Sequence, residues 1–201
     1  DALELNVYVL PSDPKRDGRE NEQVYFDVVD AVKSVSQLPL ALKIGSSFSS
    51  LSRTAVRLSQ TTLDALVLFN RFYRFDFDID NLKLKPAPYM SSPDEMAHPL
   101  RWVSILASQV ECDIAATTGV HDGAGVVKQL LAGATAVQVC SALYKNGVGH
   151  IEKMLGEVTD WMDGHGYSAL DGFRGKMSQD ESEDPAAYER VQFLKGTGGV
   201  S

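Results

Sequence analysis

At 201 residues the chain suits one domain, residues 1–201, and its 44% hydrophobic content is that of a protein with a sizeable core. A formal charge of -8 and a pI near 4.9 exclude the basic face that nucleic-acid binding needs. No run approaches the roughly 20 apolar residues of a membrane span, no signal peptide opens the chain, and Cys112 and Cys140 make neither a disulfide framework nor a metal-ligand spacing. A reducing, cytoplasmic setting with no metal is the expectation.

Taken in chain order, apolar runs of strand length alternate with segments of helical spacing. Leu3 to Leu10 is the first strand, and Tyr25, Val28, Val29 and Val32 mark a helix after it. Pro39 to Ile44 is the second, followed by helical spacing through Leu51, Ala55 and Leu58, and Leu63 to Phe69 is the third. Residues 74–93 hold Asp76, Asp78, Asp80 and three prolines and read as an insertion with a short strand at Leu82 to Lys85. Pro93-Asp94-Glu95 then starts a helix through Leu100, Val103 and Leu106. Ile114 to Thr117 is the fourth strand, with Val126, Val127, Leu130 and Leu131 lining its helix. Ala134 to Val139 is the fifth, followed by a long helix through Ile151, Met154, Leu155 and Val158. Residues 178–201 form an acidic tail with a helix from Pro185 to Leu194 and a frayed Gly196-Thr197-Gly198-Gly199 end. Strands alternating with helices predict βαβ units and a parallel sheet of about five strands.

Two architectures fit such a pattern: an open doubly wound sheet, or part of an eight-stranded barrel, which typically takes about 250 residues. Strand faces favour the barrel. Leu40, Leu42 and Ile44 share one face of the second strand, while Ala41 and Lys43 share the other. In the first strand Glu4, Asn6 and Tyr8 oppose Leu3, Leu5 and Val7. A lysine aimed into an interior is costly unless it meets an anion or an acid, so a polar lumen explains both faces. Solvation of an edge strand is the other explanation. The opening on Asp1, directly before a strand, reads as a fragment whose first strand needs an upstream partner.

Chemistry concentrates at the C-terminal strand ends. Ala116-Thr117-Thr118-Gly119-Val120 reads as a small-residue turn opening a helix, and Cys140-Ser141-Ala142 repeats the arrangement after the next strand. Such turns let backbone N–H groups approach a phosphate, and the helix dipole favours its charge. Lys43 and Asn70 lie at or near strand ends, the catalytic rim of a barrel, and with Asn6 bring three polar groups to one rim. Alone, Lys43 reads as a surface lysine and Asn70 as a turn residue. His121 reads as a surface residue, and His98, His150 and His165 show no ligand spacing.

Glu4-Leu5-Asn6, Leu42-Lys43-Ile44, Val67-Leu68-Phe69-Asn70-Arg71-Phe72-Tyr73, Thr117-Thr118-Gly119 and Cys140-Ser141-Ala142-Leu143 follow the order seen in dihydroorotate dehydrogenases. The chain most resembles the bacterial dihydroorotate dehydrogenase-like branch, from the family's fourth strand onward. The resemblance implies the C-terminal part of a (β/α)8 TIM barrel binding FMN at its rim. It implies that Lys43 contacts the flavin pyrimidine ring, that Asn6 and Asn70 bond flavin or a carboxylate-bearing substrate, and that Thr118, Gly119, Cys140 and Ser141 hold the phosphate. The implied reaction is oxidation of dihydroorotate or a related carboxylate in pyrimidine biosynthesis, by hydride transfer coupled to proton removal.

This chain departs from the family's pattern in three places. Relatives carry a Cys or Ser base and a second asparagine after the fourth strand; here Val9 and Pro11 stand there, with Tyr8 the nearest candidate base. A glycine-rich phosphate turn is replaced by Ser91-Ser92, and the N-terminal strands of the barrel are missing. An alternative is a non-redox or non-catalytic barrel piece that binds FMN or a phosphorylated ligand, covering its open edge as a homodimer.

Overall fold

The computed structural model describes residues 1–191. Five parallel strands form the main sheet: β1 (Leu3–Asn6), β2 (Leu40–Ile44), β3 (Ala65–Leu68), β6 (Asp113–Ala116) and β7 (Ala136–Val137), hydrogen-bonded in that order. Between β3 and β6, β4 (Phe75–Asp78) and β5 (Lys83–Pro86) pair only with each other, as an antiparallel hairpin. The helices are α1 (Gly18–Lys33), α2 (Leu51–Ser59), α3 (Ala97–Leu106), α4 (Gly123–Ala132), α5 (Ser141–Asn146) and α6 (His150–Gly164).

The two faces of the sheet differ as alternation requires. Leu40, Leu42, Ile44, Leu66, Leu68, Ile114 and Ala116 are buried with Val29, Leu51, Ala55, Leu58, Val103 and Leu106 from the helices. Register brings Glu4 beside Ala41, Asn6 beside Lys43, Lys43 beside Val67, Val67 beside Ala115, and Ala115 beside Ala136 on the opposite face. That face is polar at its ends and small in the middle, which leaves room above the sheet.

Curvature decides between the two architectures. In a flat sheet the first and fifth strands lie about 19 Å apart, four spacings of some 4.8 Å. Yet Gln138, immediately beyond β7, donates a side-chain hydrogen bond to Glu4 on β1. Two side chains cannot bridge that gap unless the sheet curls around them. Sequential strand order and packing of α1 on α2, α2 on α3 and α3 on α4 agree with a segment of a β/α barrel.

Several elements differ from the sequence expectation. The first strand stops at Asn6 because Val9 turns its N–H to the Tyr25 hydroxyl, 3.3 Å away, instead of to β2. The fifth shrinks to two residues, although Thr135 N–H to Ile114 O and Gln138 N–H to Ala116 O, both 2.8 Å, prolong its contact with β6. Residues 74–93 hold two paired strands rather than one. The long helix expected through Ile151, Met154, Leu155 and Val158 is α6; a separate short helix, α5, precedes it and ends at Gly147, whose φ of +82° is left-handed. The helix begun at Pro185 is a single 3₁₀ turn, Pro185–Ala187; its expected end at Leu194 and the Gly196–Gly199 segment lie outside the described residues.

Gly133 ends α4 with φ +114°, and a Cβ there would overlap the Cβ of Ala107. Gly133→Ala combines left-handed strain with overpacking and should cost about 2 kcal/mol or more. The urea midpoint reads this directly; an unchanged midpoint would show that the turn relaxes.

Candidate active site

The curled sheet opens at its C-terminal strand ends into a cavity of about 690 Å³, whose lining includes Asn6, Lys43, Asn70, Thr118, Gly119, Gln138, Cys140 and Ser141. Seven of the eight candidate residues from the sequence thus meet at one cavity. Tyr8 is the exception. With β1 ended at Asn6, strand alternation no longer orients it, and its ring packs edge-on against Phe72 at 4.3 Å between centroids. Burial, then the neighbouring Tyr25 phenol, pushes the Tyr8 pKa above its ordinary 10.0.

Lys43 meets the acid its position demanded. Its ammonium lies 3.0 Å from Gln138 Oε1 and 3.5 Å from Glu4 Oε1, while Gln138 in turn donates to Glu4. An ammonium has three protons, so two partners leave one donor for the cavity. Asn70 is oriented by two carbonyls, its Nδ2 donating to Val7 O at 2.7 Å and Lys43 O at 3.2 Å. Both donors are spent, so Asn70 offers an incoming ligand only the acceptor Oδ1. The Asn6 amide makes no hydrogen bond among the described residues and keeps donors and acceptor alike.

The two small-residue turns are not equivalent. Thr118 and Gly119 both have left-handed φ, +79° and +78°, and a Cβ on Gly119 would overlap the Met96 backbone. This turn does not open α4, which starts at Gly123. Carboxylates already occupy that helix end: Asp122 accepts from Gly125 N–H at 2.8 Å and Glu157 from Gly123 N–H at 2.6 Å. The α4 dipole is therefore not offered to a ligand at Thr118-Gly119. By contrast, α5 begins at Ser141 directly after Cys140, with no side-chain cap.

Other residues complete the rim. Ser91, almost fully buried, donates its N–H to Ser141 Oγ at 2.9 Å, accepts from Lys145 at its carbonyl at 3.1 Å, and bonds His121 Nε2 at 3.2 Å. His121 is thus half-buried rather than a surface residue, and burial, then the Lys145 charge, holds its pKa below the ordinary value. Arg71 clamps the segment before Ser91: it pairs with Glu95 at 2.8 Å and donates to the carbonyls of Tyr89 and Met90. Sequence reasoning missed Gln138, which period two along the fifth strand places on the lumen face, and Glu95, a capping-box position after Ser92. Lys145 carried no signal beyond its charge, and Arg71 stood in the sequence only as part of the Asn70-Arg71-Phe72-Tyr73 run, with no role assigned.

Lys43, Arg71 and Arg74 line the cavity, and among the described residues no carboxylate and no imidazole does. Their counter-ions lie behind the wall, Glu4 beside Lys43 and Glu95 beside both arginines, so three positive charges face two negative ones and the wall keeps a small positive balance suited to an anionic ligand.

A family model described as dihydroorotate dehydrogenase matches residues 1–162. The catalytic subunit of dihydroorotate dehydrogenase B (NAD(+)) from Pyrococcus furiosus is 28% identical over 157 residues, 76% of this chain and 52% of that protein. Dihydroorotate dehydrogenase (fumarate) from Lachancea kluyveri is 38% identical over 65 residues, 32% of this chain and 21% of that one. A crystal structure of DHODH from Eimeria tenella in complex with ferulenol superposes with a TM-score of 0.63 at 16% identity, covering 87% of this chain and 53% of that one. The chain spans about half the length of the curated relatives that it matches over 76% of its own length.

The clamp makes a pH prediction. Hydrogen bonding to Arg71 holds the Glu95 carboxyl below its ordinary 4.5. A carboxylate depressed in the folded state adds stability above its unfolded pKa and loses it as pH falls through the folded one. Glu95→Gln should therefore lower the melting temperature at pH 7, and the gap to wild type should narrow as the pH falls below the ordinary 4.5 and through the depressed folded value. A gap that does not narrow on acidification would show that the ion pair contributes nothing.

Proposed function

Because the chain belongs to the dihydroorotate dehydrogenase family, we propose that it carries the C-terminal rim of an FMN-dependent oxidoreductase acting on dihydroorotate or a related carboxylate. The observation that supports this best is the cation-lined cavity at the strand ends, with Lys43 keeping a free donor toward it. FMN, when bound, would supply the redox centre that accepts the hydride. The donor set fits such a group, whose ring edge mixes N–H and carbonyl groups and whose phosphate needs amides and hydroxyls.

Lys43 would hold the pyrimidine edge and offset negative charge arriving there. Glu4 tempers that charge in the resting site and, with Gln138, fixes the ammonium in place. Asn70, with only an acceptor to offer, would meet an N–H group, while Asn6 retains the donors that a substrate carboxylate requires. Thr118, Gly119, Cys140 and Ser141 would hold the phosphate, mainly at the uncapped start of α5. Proton removal is the weak point: Val9 stands at the base position and Tyr8 lies against Phe72, outside the cavity. That absence favours a second reading, in which this half of the barrel binds FMN or another phosphorylated ligand without oxidising dihydroorotate. A reducing cytoplasm as the setting belongs to the first reading.

Titration with FMN separates the readings from a wrong assignment. Binding with quenched flavin fluorescence is expected, and Ser141→Asp should abolish it by placing a carboxylate in the cradle. Gly119 is unsuitable for this test, since any side chain there meets Met96 backbone. Flavin bound equally well by Ser141→Asp would remove the phosphate assignment.

In the complete protein Lys43→Ala should slow flavin reduction on the order of 10²-fold, as losing one oxyanion-hole donor does, with a much smaller effect on flavin affinity. Stopped-flow rates equal to wild type would leave Lys43 a structural role only.

A further inference from the structure

We propose that Ser91, braced by His121 and Lys145, is a positioning residue for the phosphate cradle, holding the Ser141 hydroxyl so that its proton is offered to the cavity. This role rests on Ser141 being a phosphate ligand and adds the groups that orient it. Ser91 is almost fully buried, and each of its three polar groups is spent on a different partner. Its N–H donates to Ser141 Oγ at 2.9 Å, its carbonyl accepts from Lys145 Nζ at 3.1 Å, and its hydroxyl meets His121 Nε2 at 3.2 Å. Ser141 and Lys145 stand one turn apart on α5, so Ser91 grips that helix at two points. His121, in the turn after β6, is tied in its own right to the start of α6, where His150 Nε2 lies 2.8 Å from the His121 carbonyl.

A hydroxyl has one proton to donate and two lone pairs. The Ser91 N–H takes one lone pair of Ser141 Oγ, and among the described residues nothing accepts the Ser141 proton. Ser141 lines the cavity, so an anion there is the acceptor left for it. Without the N–H from Ser91 the side chain would spread over its three staggered rotamers, and a donor that is already aimed binds charge at less cost. The N–H is itself only as fixed as Ser91, which belongs to no helix or strand. Its side-chain and carbonyl contacts therefore matter. Burial, then the Lys145 charge, holds the His121 pKa below its ordinary 6.5, so at pH 7 the ring braces Ser91 as a neutral hydrogen-bond partner. An effect of His121 on an anion in the cavity must then pass through Ser91 and not through attraction of charge.

FMN and riboflavin differ only in the phosphate, so the ratio of their dissociation constants, read by fluorescence titration of the chain, isolates the cradle from the rest of the flavin site. Wild type should prefer FMN. His121→Leu should reduce that preference about ten-fold, near the lower end of what one hydrogen bond to a charged group is worth, and leave riboflavin affinity unchanged. His121→Gln keeps a hydrogen-bonding group and should restore most of the preference. Ser91→Ala loses the same bond by a smaller change, should match His121→Leu, and serves should that variant fail to fold. Ser141→Ala should also lower the preference, and His121→Leu added to it should change nothing further. A preference untouched by His121→Leu and Ser91→Ala, an equal loss of riboflavin affinity in both, or a full further loss in the double variant would overturn the positioning role while leaving Ser141 its own. A wild type that does not prefer FMN, or a Ser141→Ala variant that keeps the preference, would remove the phosphate reading and the positioning role with it.

Discussion

A lysine on the inner face of a parallel strand must find compensation, and in this molecule the compensation spans the sheet. Lys43 leaves β2 toward the lumen, Glu4 answers from β1, and Gln138 answers from the far end, beyond β7. Desolvating a charge costs several kcal/mol unless it is paired and hydrogen-bonded, so the three groups favour a sheet curled enough for them to touch. The same curl turns the leucine-rich face outward to the helices and gathers the strand ends around one cavity. Core and site are thus two consequences of a single alternation. Along β2 it sends Leu40, Leu42 and Ile44 one way and Lys43 the other.

The rim above this triad is assembled from turns rather than from strands, and each turn is tied to another. Asn70 holds the ends of β1 and β2 together through the carbonyls of Val7 and Lys43. Arg71, next in sequence, holds the segment at Tyr89 and Met90 and pairs with Glu95. Ser91 then links that segment to the turns after β6 and β7. Adjacent residues therefore serve different layers, Asn70 facing the cavity and Arg71 its scaffold. Ser91 spends its N–H on Ser141, so it acts as a strut and gives no amide to a ligand.

Period-two patterning made the sheet, its order and its polar lumen legible, because burial acts on every second residue and leaves a record in each strand. Lys43, Asn6 and Asn70 were legible for the same reason: polar groups at strand ends are costly unless they are used. What was not legible depends on contacts between distant segments. The Tyr25 hydroxyl that captures Val9, and so ends β1 at Asn6, is sixteen residues away. The capping of α4 by Glu157 depends on how α6 packs, and removes a dipole that the local run Thr117-Thr118-Gly119 had promised. The hairpin's first strand escaped because Phe75-Asp76-Phe77-Asp78 alternates like a strand but sits in a stretch rich in acids and prolines, whose composition argues for a loop.

The first of these distant contacts bears on the chemistry proposed for the rim. Had β1 continued past Asn6, alternation would have turned Tyr8 into the lumen beside Lys43, where a cation favours the phenolate and lowers its pKa. Ended early, Tyr8 instead packs on Phe72, and burial raises its pKa. Among the described residues, the cavity lining holds cations, amides, hydroxyls, the thiol of Cys140 and phenols, with no carboxylate and no imidazole. A site of this composition can bind an anion and stabilise negative charge, yet it has no group whose ordinary pKa is near neutrality. General-base catalysis typically contributes about 10² to 10⁴-fold, so the chemistry open to this rim divides cleanly. Steps that only need charge stabilised are within the reach of Lys43, whereas a step that needs a proton removed at neutral pH has to draw on a group that these residues do not supply.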